Sequence, residues 1–298
     1  MHSDRVAAPP APDSEPGTDT ALVAAARALL GDRIELTATL GTGRTGGVLL
    51  GSDLVALRAV AVRVLAPALA ADEERRARWR DAIALQRRLA GPGLVAVLDE
   101  RESAPGEGPA CAAVVMPLVA GASLAALRPP GEAWPIDWAR WLVLRAGDAL
   151  ARLHAEGIGH GDVRASAFLV DARGDVVLTD VGVTRAVLDA DAPDDAVLVR
   201  DDHRALGRLA IALVAGGAPV AGDDVPALVA SLRAARGDCP ADWAEAIARL
   251  VHDDTVTLAA VREALRGTLA RDGGAVREAL AAYARADHRE RTADAVRA

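Results

Sequence analysis

A chain of 298 residues is long enough for one large domain or two small ones with a substantial buried core. Its hydrophobic content of 51% predicts a globular fold for most of the chain, whereas its net charge of -8 excludes the basic face of a nucleic-acid-binding protein. Two cysteines, Cys111 and Cys239, exclude a disulfide framework and a metal knuckle, so we expect a reduced, intracellular compartment.

The N-terminal segment, MHSDRVAAPPAPDSEPGTDT, is rich in proline and acidic residues and lacks the apolar core of a signal peptide. Such a composition offers too little apolar surface to order the chain, so residues 1–20 are predicted to form a disordered arm. The longest uncharged stretch, residues 108–127, is interrupted by Pro109, Pro117 and Gly121 and makes a poor membrane span. We therefore expect a cytoplasmic protein without a membrane span.

The part of the chain that follows this arm is predicted to be rich in strands. A short helix rich in alanine and leucine comes first, and a long helix separates three strands from two more. The run AVAVRVL, which alternates with a period of two, is typical of a half-buried strand. The predicted elements are a helix at 20–30, strands at 33–40, 47–51 and 59–65, a helix at 72–89, and strands at 94–99 and 110–118.

After Gly121 the apolar residues recur at helical spacing. The predicted helices cover 137–154, 202–215, 225–236, 241–252, 258–269 and 274 to the end, and two short strands, AFLV and DVVLTD, follow the first of them. A β-rich part followed by a helical part predicts an α+β fold with two lobes. We expect a β-rich N-lobe with a leading helix at 21–118, a helical C-lobe at 119–270 and a C-terminal helical tail at 271–298.

A glycine-rich segment lies between the first two predicted strands. Residues 40–48, LGTGRTGGV, contain a complete G-x-G-x-x-G-x-V pattern. Glycines at this spacing let backbone N–H groups approach a phosphate that a Cβ atom would hold away. The pattern alone is as typical of a plain glycine-rich hairpin. It does not fit a dinucleotide-binding fingerprint, because a strand follows it where that fingerprint requires a helix.

Four further segments follow the glycines, and their order is informative. VAVR at 60–63 resembles the V-A-I-K strand of protein kinases, HGDVRASA at 160–167 resembles their catalytic loop, and LTDVG at 178–182 resembles their D-F-G segment. DHRALG at 202–207 resembles the helix that anchors the catalytic loop. The chain thus resembles the Ser/Thr protein-kinase family, in its bacterial and actinobacterial style, over about residues 33–269. The His-Gly-Asp spelling also occurs in aminoglycoside-phosphotransferase-like kinases, but the Asp-Val-Gly spelling favours the protein-kinase branch.

The resemblance implies a two-lobe protein-kinase-like fold, with a β-rich N-lobe and a helical C-lobe, and roles for individual residues. Asp162 stands at the position of the catalytic base, and Arg164 keeps a positive charge near the transferred phosphate. Asp180 stands at the magnesium-binding aspartate, and His160 corresponds to a residue that is mainly structural. The implied nucleotide-binding residues are Gly41, Gly43, Gly46, Val48, Ala61, Arg63, Met116 and Leu118.

Three positions depart from the family pattern. Arg63 replaces the strand lysine. The positive charge is kept, but a planar guanidinium group replaces a compact ammonium group. Ala167, which has no ligand atom, stands where the family has its second magnesium-binding asparagine. Gly161 replaces the arginine that would bind a phosphorylated activation loop. The chain contains no lysine and no asparagine at all, yet codon drift should not remove a lysine that the chemistry requires.

The acidic partner of the strand cation can be assigned in two ways. In the family a helix glutamate pairs with the strand lysine, and that position falls on Asp81 if one residue is inserted before Gly91, or on Ala82 if none is. We favour Asp81 because it keeps Leu85 one turn later on the same helix face. Because Arg63 is longer than lysine and Asp81 is shorter than glutamate, the two are predicted to form an ion pair.

The segment between Asp180 and Asp202 is short for this family and contains no A-P-E sequence. The arginine expected to pair with that glutamate is also missing, because the chain has TVT at 255–257. Because the glutamate and its arginine partner are both missing, neither leaves a buried charge unpaired. It also removes most of the platform on which a peptide substrate would lie.

These departures favour a pseudokinase, a regulatory or scaffolding module for an unknown protein partner, with weak ATP binding and a weak or dispensable need for Mg²⁺. The alternative is a divergent, slow Ser/Thr protein kinase that transfers phosphate with Asp162, Asp180 and one magnesium ion. Ala167 and the missing A-P-E sequence are the features that separate the two hypotheses.

Overall fold

The structure, a computed structural model, describes residues 16–104, 110–127, 132–188, 194–268 and 273–297. The chain divides into two compact units, the first made of the described residues within 1–77 and 98–118, and the second of those within 78–97 and 119–298. The first unit is rich in strands and the second is mostly helical. Most of the arm predicted at 1–20 lies outside the described residues, but residues 16–20 belong to the first helix.

The first unit is built around an antiparallel sheet of five strands in the order β1-β2-β3-β5-β4. A long helix, α3 (Glu73–Leu89), runs from this unit into the second. The other elements of the first unit are α1 (Pro16–Leu30), β1 (Ile34–Gly43), β2 (Gly46–Asp53), β3 (Arg58–Leu65), α2 (Pro67–Ala70), β4 (Asp99–Glu102) and β5 (Ala112–Pro117).

Helix α1 covers one face of this sheet. Leu22, Ala26 and Leu30 recur at every fourth position, so they form one apolar stripe along the helix. This stripe joins a buried cluster with residues of the sheet, namely Ile34, Leu36, Leu49, Val60, Val62, Val64, Ala113 and Val115. Burial of these side chains against each other is the main stabilisation of the first unit.

The strand predicted at 94–99 is wrong. The backbone N–H of Val95 donates to the carbonyl of Leu178 at 3.1 Å, and the N–H of Leu178 donates to the carbonyl of Gly93 at 2.8 Å. These bonds hold residues 93–95 in the second unit, so the ladder with β5 begins only at Asp99. The sequence of β4, DERE, is charged throughout, as suits the edge of a sheet.

The second unit combines a small antiparallel sheet, in the order β6-β7-β8, with the helices. Its longer helices lie close to the predicted ones, except that one of them begins earlier than predicted, and two short helices, at 124–127 and 183–188, fall outside the predictions. The elements are β6 (Gly121–Ser123), α4 (Leu124–Leu127), α5 (Ile136–His154), β7 (Phe168–Asp171), β8 (Val176–Leu178), α6 (Val183–Leu188), α7 (Asp195–Ala215), α8 (Val225–Ala235), α9 (Ala241–His252), α10 (Leu258–Thr268) and α11 (Gly273–Arg297).

Helix α5 lies at the centre of this unit and contributes ten buried residues to it. Its Leu142, Leu150 and Leu153 are fully buried in one core cluster, which also contains Leu206 of α7 and Trp243 of α9. The apolar positions of three helices thus meet in one core, which holds the ends of α5 and α7 at fixed positions.

The C-terminal helix α11 is a packed part of the second unit. Leu280 and Ala284 are fully buried, and the ring of Tyr283 meets that of Trp134 edge to face at 6.3 Å. Arg277 donates to the carbonyl of Arg173 at 3.0 Å and pairs with Asp175 at 2.7 Å, so α11 is fastened to the turn between β7 and β8.

Gly174 in that turn is expected to tolerate no side chain. Its φ is +80°, and a Cβ atom would lie 2.1 Å from the carbonyl oxygen of Arg277 in α11. Gly174→Ala should lower the free energy of unfolding by about 2–3 kcal/mol, because it adds backbone strain and displaces α11. Urea unfolding measures this loss.

Gly157→Ala is the matched control, because Gly157 has a similar φ of +72° but a Cβ atom there would meet nothing within 4 Å. The free energy of unfolding of this variant should fall only by the cost of the backbone strain, about 1 kcal/mol. Equal losses in the two variants would contradict a close contact between α11 and the turn.

Candidate functional site

The glycine-rich segment forms a tight hairpin in the first unit. β1 and β2 pair up to Gly43 and Gly46, which leaves Arg44 and Thr45 as a two-residue turn. The carbonyl of Thr45 accepts a hydrogen bond from the backbone N–H of Ala66 at 2.9 Å. The turn is therefore fixed to the end of β3.

The three glycines of the motif differ in what the fold requires of them. Gly46 has a φ of +129°, and a Cβ atom there would lie 1.9 Å from the carbonyl oxygen of Val64, so the sheet itself needs a glycine. A Cβ atom on Gly41 or Gly43 would meet nothing within 4 Å, and neither has a left-handed φ. Packing among the described residues gives no reason for these two glycines, whereas close approach of a ligand would.

Arg63 lies on β3 directly opposite Val48 of β2. Its side chain is only 7% exposed, and one guanidinium nitrogen donates to the hydroxyl of Thr45 at 2.8 Å. Thr45 itself is 9% exposed. The strand cation is thus buried, and it contacts the turn of the glycine hairpin.

The remaining predicted nucleotide-binding residues of the first unit lie on neighbouring strands. Ala61 of β3 pairs with Met116 of β5, and Leu118 follows one residue after the end of β5. The glycine hairpin, Arg63 and this strand pair therefore belong to one sheet. Their binding of a nucleotide stays a prediction.

In the second unit, the carboxylate of Asp202 anchors the segment that resembles a catalytic loop. Asp202 is 1% exposed. One of its oxygens accepts the N–H of His160 at 2.6 Å and lies 3.0 Å from Nε2 of His154, and the other accepts the N–H of Gly161 at 2.9 Å. These bonds satisfy a buried charge that would otherwise be costly, and they fix the loop backbone.

His160 connects this loop to the segment before Asp180. Its Nδ1 accepts the N–H of Asp162 at 3.2 Å, so its Nε2 carries the proton and donates to the carbonyl of Thr179 at 2.9 Å. His160 is 1% exposed, which agrees with the structural role that the sequence implies for it.

Asp162 is partly exposed and lies next to a cation. Nε of Arg164 donates to Oδ2 of Asp162 at 2.8 Å, and another guanidinium nitrogen of Arg164 donates to the hydroxyl of Ser166 at 2.6 Å. The side chains of Asp162 and Arg164 are 26% and 53% exposed. A carboxylate oriented in this way can accept a proton from a hydroxyl group that approaches it.

Asp180 has a left-handed backbone with a φ of +63°, which is unusual for a residue other than glycine. Such strain persists only where the surrounding structure imposes it. The preceding residue, Thr179, supplies that constraint, because its N–H and its hydroxyl both donate to the carbonyl of Ala167, at 2.9 and 3.2 Å. Ala167 is 1% exposed and presents only a methyl group.

A second histidine lies beside the anchor of the loop. Burial and, to a smaller extent, the neighbouring His154, whose ring centre is 5.2 Å away, lower the pKa of His203 to about 4, although Asp202 acts in the opposite direction. His203 is therefore neutral at physiological pH, and it belongs to the packing beneath the loop.

The segment after Asp180 folds inward. Val181, Val183 and Val187 are fully buried, and the last two lie on helix α6. The middle of the predicted short segment, residues 189–193, lies outside the described residues. In its described part, this segment contributes to the apolar packing of the second unit.

Helix α7 begins at Asp195, seven residues before its predicted start. Asp194 caps it, because its side chain accepts a hydrogen bond from the N–H of Ala196. The added turns lie against the loop: Asp195 accepts the N–H of Gly159 at 3.2 Å, and a Cβ atom on Gly159 would lie 2.3 Å from Cβ of Leu198. Residues 195–201, which precede the predicted helix, thus belong to α7.

Asp81 lies on the exposed side of α3, whereas Ala82 and Ile83 belong to the buried side of that helix. This exposure does not favour Asp81 over Ala82 as the position that corresponds to the family glutamate. Arg63 and Asp81 belong to different units, so their ion pair stays a prediction.

The part of the chain that the structure describes holds no group of three or more His, Cys, Asp or Glu side chains that could bind a metal ion. Nor does any helix in that part combine the length and the apolar character that a membrane crossing requires.

The comparison with known families agrees with the order of the motifs. The sequence model of the protein kinase domain matches residues 34–200, which is more than half of the 298-residue chain. The chain therefore belongs to the protein kinase family. This membership confirms the predicted two-lobe, α+β fold, and ATP and Mg²⁺ are the ligands that the family uses in general.

Its relatives include serine/threonine kinases of actinobacteria. The serine/threonine-protein kinase PknB of Mycobacterium leprae is 32% identical over 213 residues, which are 65% of this chain and 34% of that protein. PknA of Corynebacterium glutamicum is 30% identical over 158 residues, which are 53% of this chain and 34% of that protein. This chain thus spans about a third of the length of these relatives. The crystal structure of the Mycobacterium tuberculosis PknI kinase domain has the same fold, with a TM-score of 0.58 and 22% identity over 79% of this chain and 96% of that one.

Sequence reasoning missed two residues of the site. Thr45 lies inside the glycine-rich segment, where no local pattern indicates a role for it, and only the three-dimensional structure brings its hydroxyl to Arg63. Asp195 lay in the connecting segment, although the pair Asp194-Asp195 before an apolar run is a helix-start signal that could have placed it.

Proposed function

We propose that this chain is a pseudokinase, a protein-kinase-like module that regulates or scaffolds a protein partner and binds nucleotide weakly. The observation that carries the proposal is Ala167. It stands where the family has a magnesium-binding asparagine, it is 1% exposed, and its carbonyl already accepts both hydrogen bonds of Thr179. Neither its side chain nor this engaged carbonyl offers a metal ion a good oxygen ligand.

The described part of the substrate side supports the same proposal. Where an active kinase needs an open surface for a peptide, the first turns of α7 lie against Gly159, and α6 buries Val183 and Val187. A peptide that approached Asp162 would find a short helical segment in place of an extended platform. Because a protein catalyses phosphoryl transfer largely by positioning the reactants, the loss of this platform should greatly lower the rate of transfer to a peptide.

The residues present fit a nucleotide only in part. The open faces of Gly41 and Gly43 suit the approach of phosphate groups, and Arg63 supplies a positive charge in the same sheet. Asp180 offers one carboxylate to a magnesium ion, and Ala167 offers none. When bound, the metal would neutralise phosphate charge. We therefore propose weak ATP binding with a weak or dispensable requirement for Mg²⁺.

A slow, divergent Ser/Thr kinase is the second candidate, and the geometry around Asp162 favours it. The contact between Arg164 and Asp162 at 2.8 Å keeps a carboxylate and a cation together at the position of the catalytic base. Asp180 is held in a constrained conformation at the position of the metal ligand. With these groups and one magnesium ion, transfer would be slowed by several powers of ten but not abolished.

Calorimetric titration with ADP and ATP, with and without Mg²⁺, tests the proposed binding. We expect weak affinity that changes by less than about tenfold when Mg²⁺ is added, because one protein carboxylate does little to hold the metal. Asp180→Ala is the control, and it should remove whatever magnesium effect exists. Tight binding that rises on the order of a hundredfold with Mg²⁺ would contradict the proposal.

A further inference from the structure

The turn of the glycine hairpin and the residue after it, Gly46, contact β3 or the residue that follows β3 at three points. The carbonyl of Thr45 accepts the N–H of Ala66 at 2.9 Å, and the hydroxyl of Thr45 accepts a guanidinium N–H of Arg63 at 2.8 Å. The third point is Gly46, whose Cα lies so near the carbonyl of Val64 that a Cβ atom would be 1.9 Å from it. The turn is therefore held close to β3. This strand carries Arg63, which is the only cation among the predicted nucleotide-binding residues.

The contact between Thr45 and Arg63 is shielded from water. Both residues are more than nine-tenths buried, at 9% and 7% exposure. A hydrogen bond from a charged donor is stronger in such surroundings than at a surface, and its loss leaves a buried donor without that partner. The hydroxyl of Thr45 thus satisfies part of the hydrogen-bonding capacity of the guanidinium group.

We propose that Thr45 restrains phosphate binding at this site, because its hydroxyl occupies a donor of Arg63 and holds the turn against β3. The inference rests on the proposed nucleotide site. A phosphate group is a charged acceptor and suits an arginine better than a neutral hydroxyl does. To reach the guanidinium group from the open faces of Gly41 and Gly43, a phosphate must displace Thr45 or share Arg63 with it. The weakness of nucleotide binding then has a cause in the first unit, separate from the loss of a metal ligand at Ala167.

Two substitutions of Thr45 separate the hydroxyl from the shape of the side chain. Thr45→Val keeps the branched shape and removes the acceptor, so Arg63 has one more donor for a phosphate. Thr45→Ser keeps the acceptor. Titration with ADP in the absence of Mg²⁺ should give an affinity for Thr45→Val that is about tenfold tighter than that of the wild type. Thr45→Ser should bind as the wild type does.

Thr39→Val is the matched control, because Thr39 lies on β1 outside the turn and is exposed. It should leave the affinity for ADP unchanged. Thr45→Ala provides a second test of the missing hydroxyl if the valine variant does not fold. Unchanged or weaker ADP binding in the variants without the hydroxyl would overturn the proposal.

The experiment distinguishes failure of this inference from failure of the proposed function on which it rests. The proposed function fails if the wild type binds nucleotide tightly with a steep dependence on Mg²⁺, whatever the Thr45 variants do. The proposal for Thr45 fails if the wild type binds weakly and Thr45→Val binds no better. Arg63→Ala should abolish the gain from Thr45→Val, because the freed donor is then absent, and a gain that persists without Arg63 would also overturn the proposal.

Discussion

Replacing Asp202 with alanine is expected to lower the free energy of unfolding of the second unit by about 3–5 kcal/mol. The carboxylate of Asp202 is almost completely buried and contacts the N–H groups of His160 and Gly161 and the ring of His154. Its removal leaves the N–H of the buried His160 and the N–H of Gly161 without that acceptor and releases the loop that carries Asp162. Urea unfolding, followed by circular dichroism, measures the loss.

The neighbouring Asp201 provides the control. Its side chain is half exposed and pairs with Arg204 at 3.0 Å on the surface of α7. Asp201→Ala should therefore lower the free energy of unfolding by less than about 1 kcal/mol. Similar losses for the two aspartates would contradict the view that Asp202 anchors the loop.

The anchor and the loop were predictable from the sequence because each is carried by a short run of residues. His160, Gly161 and Asp162 are adjacent, and Asp202 opens the run DHRALG, which resembles the family's anchoring helix. The helices were also predictable, since their apolar residues recur at a fixed spacing over several turns. This spacing predicts α5 and α9, and each end of both helices lies within one residue of its predicted position.

Other features depend on contacts that no local pattern reveals. Residues 94–98 have the apolar composition of a buried strand. Backbone hydrogen bonds between Leu178 and both Gly93 and Val95, however, place part of this run in the second unit. Helix α7 starts early because the side chain of Asp194 caps it, so residues that could have formed a connecting segment are helical. The contact between Thr45 and Arg63 joins residues that are 18 positions apart in sequence, and it depends on the strand register.

Restoring the missing catalytic residues is expected not to restore protein phosphorylation. Arg63→Lys with Ala167→Asn returns the family residues to the strand and to the second metal position. In its described part, the segment after Gly182 would still offer a peptide no extended surface, since α6 and the first turns of α7 pack inward. Transfer to a protein should stay on the order of a thousandfold or more below that of an active kinase.

The double variant is informative only if it folds, because an asparagine at 167 must fit where the alanine is 1% exposed. Circular dichroism checks this. Hydrolysis of ATP without transfer to protein would agree with a restored metal site and an absent substrate platform. Transfer to a protein that depends on Asp162, measured by adding Asp162→Ala, would contradict the role given to the segment after Gly182.

The wild-type chain is expected not to transfer phosphate efficiently. The most direct test is the incorporation of radiolabelled γ-phosphate from ATP, with Mg²⁺ or Mn²⁺, into the chain itself and into a generic protein substrate. Asp162→Ala, which removes the carboxylate at the position of the catalytic base, sets the background. We predict that the wild type incorporates no more label than Asp162→Ala does. Robust labelling by the wild type that Asp162→Ala abolishes would contradict the pseudokinase proposal and support a divergent, slow Ser/Thr kinase.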